Sequence, residues 1–110
     1  MLLSELGAEA LMDIFELYLD DAPEKVARIR ELAGAQNHVT LARAAHALCG
    51  SSASIGARHL SELCRTLENA SMDADHATMV DAIESESHRV REAIEAAALA
   101  CEQLGGIGSR

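Results

Sequence analysis

The stretch Ala45-His46-Ala47-Leu48-Cys49-Gly50-Ser51-Ser52-Ala53-Ser54-Ile55-Gly56-Ala57 has two faces when wound as a helix. At roughly 100° per residue, Ala42, Cys49, Gly50 and Ala53 fall within about 60° of His46, with Arg43 at the margin. The opposite side carries Leu41, Ala44, Leu48, Ser52 and Ile55, a mostly apolar stripe suited to a core. The pattern predicts a helix over 39–54 that turns His46 toward solvent among residues too small to shield it. Gly50, one turn further on, costs roughly 1 kcal/mol of helix stability relative to alanine. That cost is understandable where something bulky must approach the imidazole.

Outward from this helix the same periodicity continues. Upstream, Leu6, Leu11, Ile14, Phe15, Leu17, Tyr18 and Leu19 predict a first helix over about 4–20, apolar on more than one side. Asp20, Asp21, Ala22 and Pro23 punctuate it, with Pro23 suited to the first turn of a new helix over about 23–33 and Gly34 to its stop. Downstream, Gly56 and Ala57 mark a turn, and Leu60, Leu63, Cys64, Leu67 and Ala70 predict a helix over about 57–71. A last helix over about 77–104 carries Val80, Ile83, Val90, Ile94, Ala97, Cys101 and Leu104 near a seven-residue seam that Ser87 interrupts.

Short links between long amphipathic helices predict an all-α fold: an antiparallel up-down four-helix bundle with an additional N-terminal capping helix. Residues 1–104 would form this one domain, and 105–110 a flexible tail. The 110 residues suffice for one core without disulfide staples. With 2% aromatic residues and no Trp, that core must be aliphatic and alanine-rich.

A net charge of −9 argues against general nucleic-acid binding, which needs Lys and Arg to neutralise phosphates, and against an anionic membrane surface. No run of 18 apolar residues occurs, and the N-terminus has no basic region followed by an apolar one. Three unpaired-looking cysteines fit a reducing compartment, so a cytoplasmic protein is expected.

His46, Gly50, Ser51, Ser52, Gly56 and Ala57, continued by Leu60, Leu63, Cys64, Leu67 and Glu68, resemble the histidine-containing phosphotransfer (HPt) domains of multistep phosphorelays. Leu41 and Ala45 fit the same pattern, and the resemblance covers about residues 5–104. It implies the same helical bundle. It also implies a non-catalytic carrier whose His46 accepts a phosphoryl group from a receiver-domain aspartate and passes it to another receiver. The partner would be the receiver domain of a response regulator or hybrid histidine kinase, supplying the acidic Mg²⁺ site, so no cofactor of the chain's own is implied. The chain itself would be free-standing or part of a hybrid kinase. The family's usual lysine is Cys49 here. A thiol brings no such positive charge, which leaves open an HPt-shaped module that docks a receiver but transfers poorly.

The residues themselves support parts of this. A neutral imidazole is a nucleophile near pH 7 and can carry a phosphoryl group on a ring nitrogen. An exposed histidine is ordinarily just a solvated side chain; the surrounding motif is what singles out His46. Ala42, His46, Cys49, Gly50 and Ala53 would form the docking face, and Arg43, Cys49 and Gly50 the phosphoryl surroundings, with Arg43 replacing part of the missing charge. Ser51 and Ser52 read better as helix packing, with hydroxyls bonding to the preceding turn, than as phosphate contacts. No nucleotide-binding glycine motif is present. Cys49 and His46 alone fall short of the four ligands of a structural zinc site, and His38, His59, His76 and His88 lack paired spacing. Asp20, Asp21, Asp73 and Asp75 read as caps and turns, and Cys64 and Cys101 as small core residues.

Overall fold

The computed structural model describes the backbone of residues 2–108 and the side chains of residue 10 and residues 12–100. Within them the chain is all helical: α1 (Leu2–Gly34), α2 (His38–Ser54), α3 (Arg58–Glu68) and α4 (His76–Gly108), with no strand among the described residues.

The expected N-terminal capping helix is not a separate element. It runs into the next helix as the single 33-residue α1, with Pro23 inside it. An interior proline removes one backbone hydrogen bond and costs about 3 kcal/mol. The reason the helix survives lies in its buried stripe. Tyr18 and Ala22 before the proline, and Val26, Ile29 and Leu32 after it, recur every three or four residues and are all buried. Breaking the axis at Pro23 would lift one half of this stripe off the core, while Pro23 itself stays on the exposed side. Asp21, expected near a cap, instead pairs with Lys25 one turn on.

Gly34 is not the stop residue. The chain leaves α1 two residues later, at Gln36, whose φ is 57°. The Asn37 N–H donates to Leu32 O (3.2 Å) and the Gln36 N–H to Ala33 O (3.3 Å), the paired bonds of a left-handed helix end. Gly56 ends α2 in the same conformation (φ 81°), with Ala57 N–H donating to Ser52 O at 2.9 Å. Here the glycine is where the sequence pattern put it. Asn37 Oδ1 accepts from Thr40 N–H to cap α2, and Asp75 Oδ1 accepts from Thr78 N–H at 3.1 Å to cap α4. α4 continues past the expected end at Leu104 to Gly108, while Ser109 and Arg110 lie outside the described residues.

α1 packs against α2 and α4, and α3 packs against the same two helices from the other side. Cross-helix contacts give the relative directions. Tyr18 in α1 meets Ser52 near the end of α2, and Arg30, late in α1, pairs with Asp81 and Glu84 early in α4. The core joins Ile29, Leu41, Leu48, Leu60, Cys64, Val80 and Ile83. Cys64 is fully buried, and burial pushes its thiol up to about 12. The Cys101 side chain, expected in the seam, lies outside the described residues.

Candidate functional site

α2 is anchored by Leu41, Ala45, Leu48 and Ser52, all buried, so the opposite side of the same helix must face outward. His46 sits there with 75% of its side chain exposed. Gly50 and Ala53 are exposed beside it, and Ala42 is half-buried. A Cβ built on Gly50 would meet nothing within 4 Å. Internal packing therefore gives no reason for a glycine at this position.

Cys49 departs from the expected exposed face. It is 8% exposed and turned against α3, its Sγ 3.2 Å from Ser61 Oγ. The Ser61 hydroxyl donates to the Cys49 carbonyl (3.2 Å), leaving its oxygen to accept from the thiol. Around the helix, Cys49 lies about 60° to one side of His46 and Arg43 about 60° to the other. α3 covers the Cys49 flank. Arg43 remains exposed and makes no ion pair among the described residues.

The covering helix brings two side chains to this flank of α2 that the sequence did not assign to the site, one at the imidazole and one at Cys49. Glu68, at the end of α3, places Oε2 2.9 Å from His46 Nδ1. A carboxylate accepts from Nδ1–H at this distance, and in the neutral ring that tautomer leaves the Nε2 lone pair outside the bond. One turn earlier on α3, Arg65 brings Nη2 to 4.0 Å from Cys49 Sγ. Their i, i+3 spacing was visible in the sequence, but nothing local said which face of α3 would meet His46.

A further exposed side chain extends the face. Val39 is 68% exposed and lies about 20° around the helix from His46, two turns earlier. The serines after Gly50 lead away from the imidazole. The Ser51 hydroxyl donates back to Ala47 O at 3.1 Å and accepts from Lys25 Nζ. Ser52 is fully buried, 3.3 Å from the Tyr18 hydroxyl, and burial raises the Tyr18 phenol above its ordinary value. Among the described residues no group of three or more His, Cys, Asp or Glu side chains gathers as a metal site. No helix among them is long and apolar enough to cross a membrane.

A family model, Hpt domain, matches residues 13–104. No curated protein and no solved structure matches the chain.

Proposed function

Because the chain belongs to the Hpt-domain family, whose members are phosphocarrier modules of phosphorelays rather than catalysts, we propose that His46 is its phosphoacceptor. It takes the group from a receiver-domain aspartate and hands it to another receiver. The observation that carries this reading is the exposed imidazole whose Nδ1 is held by Glu68 at 2.9 Å. The cross-helix contacts read as a closed antiparallel bundle that holds α2 and α3 side by side and keeps that bond in place.

The chemistry follows from the tautomer. The Nε2 lone pair attacks phosphorus, the acyl P–O bond breaks, and its electron pair returns to the receiver's carboxylate. Nδ1 keeps its proton, and the positive charge that develops on the ring faces the Glu68 carboxylate. Passing the group onward is the same step reversed. Mg²⁺ belongs to the receiver's acidic site in this scheme.

Ala42, Gly50, Ala53 and Val39 surround His46 as the docking face. Small side chains let a partner backbone come close enough for direct transfer. Such a carrier works in the cytoplasm, alone or as part of a hybrid kinase. Residues 1–104 act as its working unit.

The test is incubation with a panel of phosphorylated receiver domains. Base-stable, acid-labile label should appear on the wild-type chain and be absent from His46→Gln. Receiver binding without any transfer of label would replace this reading with that of a docking module.

A further inference from the structure

We propose that Arg65 of α3 is the cation that receives the phosphoryl group on His46. The inference rests on the phosphoacceptor reading and adds a residue that the motif around His46 does not contain. A phosphoryl group on Nε2 brings up to two negative charges beside the Glu68 carboxylate, which repels them. A nearby cation must offset that repulsion.

Two arginines flank the face, Arg43 exposed on α2 and Arg65 on α3 against Cys49. Three observations favour Arg65. It stands one turn before Glu68 on the same helix, so the two side chains are neighbours at i and i+3. Its guanidinium reaches across to α2, with Nη2 4.0 Å from Cys49 Sγ, one turn from His46 and on the flank that Glu68 also occupies. Its charge is also uncommitted: among the described residues Arg65 makes no ion pair, although Glu62 and Glu68 lie a turn away on either side.

Arg43 is on the far flank, away from α3. The thiol at Cys49 contributes to this arrangement by being small and buried. A long side chain there would occupy the space over which the guanidinium reaches. Arginine's planar fork then offers paired donors to phosphoryl oxygens.

The experiment uses potassium phosphoramidate, a small donor that needs no protein partner. Its P–N bond breaks, ammonia leaves, and the phosphoryl group forms a bond to Nε2. Phosphorus NMR follows both the rate of labelling and the second ionisation of the bound phosphoryl group. In Arg65→Gln, labelling at low salt should slow about two- to fivefold. The ionisation midpoint should rise by up to about 0.7 pH unit, the same fivefold expressed on a pH scale.

Both differences should shrink at high salt, and Arg65→Lys should retain most of the wild-type behaviour. A merely structural arginine would change neither the midpoint nor its salt dependence. An Arg65→Gln protein that matches wild type in rate and midpoint overturns the proposal. So does the same loss appearing only in Arg43→Gln. A wild-type chain that takes no phosphoryl group on His46 overturns the phosphoacceptor reading and, with it, this one.

Discussion

His46 and Glu68 lie 22 residues apart in sequence, yet the imidazole Nδ1 and the carboxylate Oε2 are 2.9 Å apart. The bond crosses from the middle of α2 to the last residue of α3, so the tautomer of an exposed ring depends on how two helices pack. Glu68→Gln keeps the shape and removes the charge that faces the ring. Transfer should slow roughly fivefold, the upper range for one partly exposed charged contact. Nitrogen NMR of the ring should show Nδ1 protonated in the wild type and a mixture of tautomers in Glu68→Ala. Identical spectra in the two proteins would remove Glu68 from the mechanism.

Gly50 separates stability from docking. A Cβ there meets nothing, so Gly50→Ala should raise stability by roughly 1 kcal/mol, or about 4 °C in Tm. Gly50→Leu should fold equally well and transfer more slowly, because the added branch stands beside the imidazole where the partner must approach. Normal transfer in Gly50→Leu would show that the receiver docks elsewhere.

Gln36 carries a left-handed backbone that glycine adopts without penalty. Gln36→Gly should raise the urea midpoint by the equivalent of about 1 kcal/mol with the m-value unchanged. Gly34, two residues earlier, is helical, and Gly34→Ala should also stabilise the chain. A drop in midpoint for Gln36→Gly would mean that the turn is held by its side chain.

Acid should weaken the fold. The Thr78 hydroxyl and N–H hold the Asp75 carboxyl below its ordinary 3.8, and the Arg30 guanidinium holds Glu84 below its ordinary 4.5. Depressed folded values mean that the unfolded chain binds protons first. The stabilisation is therefore complete above the ordinary values and is lost as pH falls through them toward the folded ones. Urea midpoints should fall from pH 6 to pH 3, and Asp75→Asn together with Glu84→Gln should flatten the slope. An equally steep fall in the double variant would assign the acid sensitivity to other groups.

The last three helices and the face on which His46 stands were legible in the sequence, because both follow from spacing along one helix. Leu41, Ala45 and Leu48 fall on one side, and burying them leaves His46 outside wherever the helix packs. Gly56 was legible for a similarly local reason: a left-handed turn favours glycine. Pro23 misled because local preference lost to packing. The stripe from Tyr18 to Leu32 is worth more to the core than the bond the proline removes.

Cys49 marks where local reasoning ends. Its 60° offset from His46 is the same in size as that of Arg43, so the sequence treats the two flanks alike. Only the docking of α3 onto one of them makes Cys49 buried, leaves Arg43 exposed, and brings Glu68 to the imidazole and Arg65 to Cys49. Helical periodicity determines which residues share a face. Which faces meet is decided by how four apolar stripes close on one another, a property of the whole chain that no single stretch contains.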